Sequence, residues 1–258
     1  MASKKLITKM VFATLLLFIT VFSLGTLGFF DIQQLSRGIS NIITFTSYLY
    51  PPDFQIIYEI LPALLETIQI AFLGTVIGFH IALPLAILSA RNMFSLYIST
   101  VVRFLLNVIR TIPSLLWAII FVVAFGLGPL PGVIAISAYS TGYLGKLFYE
   151  LFEGVDPEIL DAHRAIGISK FDEIRYVLIP ESVNGLLSQV LFMFEYNVRA
   201  STILGFVGAG GIGFYLLGYI QLFQYKKLFA LIIITLIVVL IIDFVSEQLR
   251  KKFTVKKD

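Results

Sequence analysis

The stretch DAHRAIGISKFDEIRYVLIP, residues 161–180, sets Asp161, Arg164, Lys170, Asp172, Glu173, Arg175 and His163 inside a chain otherwise rich in Phe, Ile and Leu. Its turn signals can be read residue by residue. Asp156 is placed to cap a helix, Pro157 suits the first helical position, and Glu158 favours the helix dipole. Gly167 ends that helix, because glycine adopts left-handed backbone angles without steric cost. Ser169 caps a second short helix, with Asp172 three residues on, and Pro180 bars its continuation. The stretch therefore reads as helix, bend and helix, more defined than a connector needs to be and suited to docking a partner. His163 is its only histidine, so no metal site is expected.

Outward from this insert the composition changes character. Of 258 residues 58% are apolar and 14% charged, against about a quarter charged in an average soluble domain. The chain reads as an all-α integral membrane protein. It has no cysteine, which excludes disulfides, thiolate metal sites and cysteine nucleophiles. The net charge of +3 gathers at the ends, in Lys4, Lys5 and Lys9 and in Arg250, Lys251, Lys252, Lys256 and Lys257. That pattern points to cytoplasmic termini and not to nucleic acid.

A helix of about 20 residues crosses the hydrocarbon layer. Six spans are expected, at 10–30, 61–90, 104–125, 130–152, 183–207 and 228–248. The third and fourth are divided only by GLGPLPG, residues 126–132, a glycine- and proline-rich turn. The first is too long for the apolar core of a signal peptide and lacks a clear cleavage site, so a retained anchor is expected. Arg91 and Arg103 fall on the side of the basic termini, whereas Asp31, Arg37, Asp53 and Glu59 fall outside. Lys226 and Lys227 also fall outside, against the positive-inside rule. A single transmembrane domain over 1–258 follows, with a core at 61–249, the anchor at 10–30 and the polar insert at 153–181.

Charges near the bilayer centre cost roughly 2.5 to 3.5 kcal/mol on insertion scales, so each needs a reason. Asn107, Arg110, Thr111 and Ser114 follow i, i+3, i+4, i+7 spacing and form one polar helix face. Lys146 follows Ser137, Ser140 and Thr141; both it and Arg110 are also placed to snorkel to the interface. Glu195 and Arg199 stand four apart and are expected to pair, either as a packing device or as a cavity wall open to an anion. Pro84 is expected to kink the helix at His80, and Gly74 and Gly78 permit close helix contact. Asp243 is expected to reach the basic interface. GAGGIG, residues 208–213, has the spacing of a dinucleotide fingerprint without the strand that must precede it. Gly208, Gly210, Gly211 and Gly213 instead read as a flexible or closely packed turn at the outer membrane face, serving as a gate or in packing.

No phosphate-binding loop of the form G-x-x-x-x-G-K-[ST] is present, so this chain does not hydrolyse ATP by that device. The polar insert resembles the EAA loop of binding-protein-dependent ATP-binding-cassette importers. Asp161, Ala162 and His163 are followed after three residues by Gly167, and after nine more by Val177, Leu178, Ile179 and Pro180. The spacing is kept, while Asp, His, Val and Ile replace family residues. FEYNVRASTILGFVGAGGIGFYL, residues 194–216, is similar to the signature of phosphonate and phosphite importer permeases, as are RTIPSLLWAIIF (110–121) and GYLGKLFYELFEG (142–154). The glycine run alone is shared with methionine-type permeases.

The resemblance implies a type I importer permease fold and a subunit that is not itself an enzyme, carrying phosphonate, phosphite or a related phosphorus oxyanion. It implies a second copy of the chain, two cytoplasmic ATPase subunits holding ATP and Mg, and an extracytoplasmic binding protein, in a bacterial inner membrane. Asp161, Ala162, His163, Gly167, Val177, Ile179 and Pro180 would couple to the ATPase. Arg110, Arg199 and Lys146 would ease the anion through the pathway, beside Asn107, Thr111, Ser114 and Glu195. The alternatives are the same machine carrying an amino acid such as methionine, and an ion-coupled transporter titrating at His80, Glu195 and Asp243.

Overall fold

The computed structural model describes residues 2–253, with side chains for 5–252; Lys4, Lys256 and Lys257 lie outside the described side chains. The described residues form helices joined by short turns. They divide into two compact units, Met1–Pro51 and Pro52–Asp258.

In the first unit, α1 (Ala2–Thr26) covers most of the expected first span, 10–30, whose last four residues form a turn instead. The next segment, read from sequence only as an outer loop, is a helix, α2 (Ile32–Leu49), capped by Asp31 Oδ1 accepting from Gln34 N at 2.9 Å.

The second unit runs α3 (Ile57–Ser89), α4 (Leu96–Thr111), α5 (Ser114–Phe125), α6 (Pro129–Glu153), α7 (Pro157–Ala165), α8 (Lys170–Glu173), α9 (Ile179–Leu204), α10 (Gly213–Gln221) and α11 (Tyr225–Phe253). By length and composition four helical stretches can cross a membrane, Lys5–Thr26, Phe54–Ser89, Lys170–Val207 and Tyr225–Lys252, and α4 with α5 makes a fifth as one bent span. The remaining expected span, the fourth at 130–152, is α6, which has 25 residues, about 37 Å at 1.5 Å each, and falls short only in apolarity. It is the helix that α3, α4, α5 and α9 surround. Its buried Ser137, Ser140 and Thr141 therefore meet protein where an outer helix would meet lipid.

Close approach to α6 requires glycine. A Cβ on Gly74 would stand 2.3 Å from Ile136 Cγ2, and one on Gly78 2.5 Å from Ser140 Cβ. The expected small-residue contact is thus made, between α3 and α6. Asn197 of α9, fully buried, donates through Nδ2 to Thr75 Oγ1 and Ser140 Oγ, both at 2.8 Å. One amide holds three helices.

The third expected span is broken: α4 and α5 meet at 84°. Pro113 lacks an N–H and cannot continue α4. Trp117 Nε1 donates to the Ile109 carbonyl at 3.2 Å, taking up an acceptor near the end of α4.

The polar insert has the expected beginning. Asp156 accepts from Glu158 N, Gly167 sits at φ +79°, and Ser169 accepts from Asp172 N. Its end differs, because Pro180 does not stop the helix. A π-helical turn over Ile174–Leu178 leads directly into α9. Carbonyls in a π turn serve donors five residues on, which relieves the clash between a proline ring and the carbonyl four residues back.

Gly78→Val should destabilise the fold by about 1–3 kcal/mol through overpacking, seen as a lowered unfolding temperature in detergent. Gly218→Ala, with open space around it, should leave that temperature unchanged or slightly raised.

Candidate functional site

The bend between α4 and α5 carries the first group of polar side chains. Arg110 Nε donates to Asn107 Oδ1 at 3.1 Å and Thr111 Oγ1 to the Val108 carbonyl at 2.8 Å. Ser114 does not continue their face, because the chain turns between them and Ser114 opens α5. It lines a cavity of about 370 Å³ with Leu115, Tyr196, Arg199, Ala200 and Ile203. Of the residues read as a pathway, the structure brings Ser114 and Arg199 together at this cavity. Tyr196 stacks on Tyr139 with ring centroids 5.7 Å apart, and Tyr139 on Tyr143 at 6.0 Å, so an aromatic ladder runs from the cavity along α6.

The expected Glu195–Arg199 pair is not formed. Arg199 Nη1 binds both oxygens of Asp243, at 2.8 and 3.0 Å, and Glu195 pairs with Arg250. Asp243 is thereby held by Arg199 of α9. Side chains four apart on one helix point alike, and α11, packed antiparallel on that face, offers each a partner of opposite charge. Lys146 pairs with Glu150 at 3.1 Å on its own helix, away from the cavity. His80 Nδ1 lies 2.8 Å from the Val76 carbonyl, its own helix backbone.

At one end of the second unit the two glycine-rich stretches meet. Gly128 N donates to the Gly208 carbonyl at 2.9 Å. Gly208, Gly210 and Gly211 have φ near +80°, where a side chain would be strained. Gly213 is needed for closeness instead: its Cβ would stand 2.3 Å from the Thr202 carbonyl. Glu66 Oε1 accepts from Gly211 N and Thr67 Oγ1 from Ile212 N, both at 2.8 Å. The turn is thereby clamped to α3 and borders a cavity of about 600 Å³ with Glu66, Leu127 and Phe214. Close by, burial, with the Glu59 carboxylate beside it, pushes the Tyr219 phenol up to about 12.

At the other end α7 and α8 are anchored by Leu160, Val177 and Leu178, buried in a cluster with Ala86, Met93 and Phe152. Asp161, Ala162, Gly167 and Pro180 face outward, while His163 and Ile179 are half-buried. His163 Nδ1 lies 2.7 Å from the Ile159 carbonyl. Ile166 (76% exposed) and Phe171 (69%) flank the bend and stand in the open. Arg164 ties the hairpin together and to the body. It pairs with Asp161 at 3.4 Å and with buried Glu173 at 2.9 Å, and donates to the Asn92 carbonyl at 2.8 Å. Asn92 Nδ2 donates to the Phe152 carbonyl, and Arg91 N to Glu153, both at 2.8 Å. Glu153 in turn pairs with Arg103 of α4, which donates to the Ser89 carbonyl at 2.9 Å and covers the Tyr149 ring at 4.2 Å. A continuous polar chain thus joins the hairpin to α4. Among the described residues no three His, Cys, Asp or Glu side chains gather as metal ligands.

Residues 82–255 match the family of binding-protein-dependent transport system inner membrane components. The chain belongs to that family. This permease is 37% identical over 227 residues to the phosphite transport system permease PtxC of Stutzerimonas stutzeri, covering 88% of this chain and 82% of that one. It is 34% identical over 208 residues to the phosphate-import permease PhnE of Mycolicibacterium smegmatis, covering 79% of this chain and 39% of that longer protein. Its fold is that of the MetNI methionine ABC transporter in an inward-facing conformation, with a TM-score of 0.67 at 23% identity over 78% of this chain and 99% of that one. It is a transport subunit of the inner membrane and not an enzyme, and its partners are an ATPase and a substrate-binding protein.

Sequence reasoning passed over Arg164, Glu173, Arg103, Glu153 and Asn197. Only their partners in space reveal them, although an Arg and a Glu inside a capped hairpin offered a hint. Glu66 was passed over as well, and the signal for it was a turn whose glycine N–H groups needed an acceptor.

Glu66→Leu in this permease should cost about 1–3 kcal/mol by leaving Gly211 N–H without its acceptor. Glu66→Gln, whose amide oxygen accepts equally, should restore most of the lost unfolding temperature.

Proposed function

We propose that this permease carries phosphite, a phosphonate or a related phosphorus oxyanion into the cell. It would act as one of two identical copies, with ATP and Mg bound by two ATPase subunits and with both termini in the cytoplasm. The observation that carries this reading is the cavity at the broken span, which Arg199 lines together with Ser114, the first residue of α5. A helix N-terminus and a guanidinium both favour a compact oxyanion. The likeness to permeases named for phosphite and phosphate supports the same class.

Asp243 gives the site its release. Held by Asp243, Arg199 is already neutralised, so an arriving oxyanion must compete with a carboxylate and is bound weakly. A transport site needs that weakness. Arg110, with Asn107, would serve the anion next, and Lys146, paired on its own helix, contributes least. The lysines and arginines at the described ends, Lys5, Lys9 and Arg250–Lys252, support the cytoplasmic placement.

The methionine reading rests on the shared glycine run and on fold likeness. For an ion-coupled transporter His80, Glu195 and Asp243 would have to share a site, but each has a different partner. That reading has no support in the geometry.

Coupling would use the hairpin as the resemblance implies, with Asp161, Ala162 and Gly167 presented to the ATPase and Val177 and Pro180 joining the hairpin to α9. Ile166 and Phe171 supply exposed apolar surface on either side of the hairpin bend, as a partner interface requires. Arg164 would pass hairpin movement through Asn92 and Glu153 to α4, the helix that holds Arg110.

Uptake into proteoliposomes containing the permease, ATPase and binding protein tests the cargo. ATP-dependent entry of phosphite or methylphosphonate is expected; entry of methionine alone would overturn it. Arg199→Gln should lower that uptake about tenfold or more, the worth of a charge-assisted hydrogen bond, with assembly intact. Arg164→Gln should leave the complex assembled and its ATPase running, yet lower the uptake per ATP hydrolysed several-fold. An unchanged ratio would remove Arg164 from the coupling route.

A further inference from the structure

Helix α2 divides its side chains by chemistry. At 100° per residue, Ile32, Leu35, Ile39, Ile42, Ile43 and Leu49 fall within one arc. Gln33, Arg37, Ser40, Asn41, Thr44 and Ser47 fall on the opposite one. None of its residues is buried, and Ile39, Ile42 and Ile43 are 62–68% exposed. An apolar stripe on an 18-residue helix, about 27 Å long, requires a cover.

The link to α1 says what that cover is. α1 is apolar over Lys5–Thr26, 22 residues, long enough to cross a membrane and with none of its apolar window buried against protein. Residues 27–31 separate it from α2, and they are folded back by Leu27 N to Ser23 O, Phe29 N to Leu24 O and Asp31 N to Gly28 O, each at 3.0 Å. Even extended, five residues reach no more than about 18 Å. The first turn of α2 is therefore held at the surface from which α1 emerges. Phe29 and Phe30, exposed at 62% and 63%, sit in the link, where aromatic rings favour the lipid–water boundary.

We infer that α2 lies in the plane of the bilayer, with Ile32, Leu35, Ile39, Ile42 and Ile43 among the acyl chains of the leaflet opposite Lys5 and Lys9. The partner is the lipid surface itself. Arg37 is the only charged side chain within the helix, so the attachment comes from apolar burial and owes little to anionic headgroups. This inference holds whatever the cargo.

The chain has no cysteine, which makes single-cysteine spin labelling direct. Labels at Ile39→Cys, Ile42→Cys, Arg37→Cys and Ser40→Cys would be placed one at a time on the full-length permease in phosphatidylcholine nanodiscs. Collision with oxygen, concentrated in lipid, is compared with collision with an aqueous nickel chelate. Labels at 39 and 42 should favour oxygen by several-fold, and those at 37 and 40 the chelate. Replacing a third of the lipid with phosphatidylglycerol should leave both ratios unchanged. Equal chelate access at all four positions would mean that α2 stands off the membrane. Shielding of 39 and 42 from both reagents would mean that protein covers the stripe. Either result overturns the inference, as would a strong dependence on phosphatidylglycerol.

Discussion

The Asn197 amide, buried and shared between Thr75 and Ser140, fixes the arrangement on which the rest of the second unit depends. Packing in hydrocarbon gains little from apolar surface, because lipid is as apolar as a side chain. Small residues and internal polar contacts must supply the specificity. Gly74 and Gly78 bring α3 against α6, and Asn197 then sets the rotation and height of α9 relative to both. Such a contact is worth on the order of 1 kcal/mol, yet its directionality excludes other registers. Glu195 and Arg199, two residues to either side, are thereby turned away from α3 and α6 and toward α11.

That placement joins the two polar ends of the unit. The glycine turns at one end are clamped to the start of α3 through Glu66 and Thr67, and the hairpin at the other continues without a break into α9. A movement of α7 and α8 reaches the glycine end along a single helical rod, Lys170–Val207. It also reaches α4 sideways, through Arg164, Asn92, Glu153 and Arg103. The two routes meet at the cavity, which takes Ser114 from the broken span and Arg199 from the rod.

How much of this could be read in the sequence depended on how local the cause was. Asp156, Gly167 and Ser169 act on their immediate neighbours, and the hairpin they specify has the expected caps and bend. The glycine runs were legible as turns because the constraint lies in each residue's own backbone, but nothing in either run announced that Gly128 and Gly208 would bond. Pro113 was present in the sequence, and reading 104–125 as one span underweighted it; Pro180 was overweighted, because a π turn accommodates a proline that an α-helical turn would reject. Charges were the least legible. The i, i+4 rule put Glu195 and Arg199 on one face correctly and then paired them with each other, when the partners came from a helix more than forty residues away.

The charge pairs on α9 and α11 show why such pairing is required. Glu195 and Arg199, about 6 Å apart along their helix, face Arg250 and Asp243, about 10 Å apart on the next. The opposite order of signs on two antiparallel helices lets both pairs close at once. An uncompensated charge at the buried Glu195 position would cost several kcal/mol of desolvation. The two pairs nevertheless differ in exposure. Glu195 is buried, at 12% side-chain exposure, whereas Arg199 is 45% exposed and borders the cavity. The same physical requirement thus yields one pair locked within the protein and one whose arginine can still be reached from the cavity, and the arginine that must meet an anion is the one left reachable.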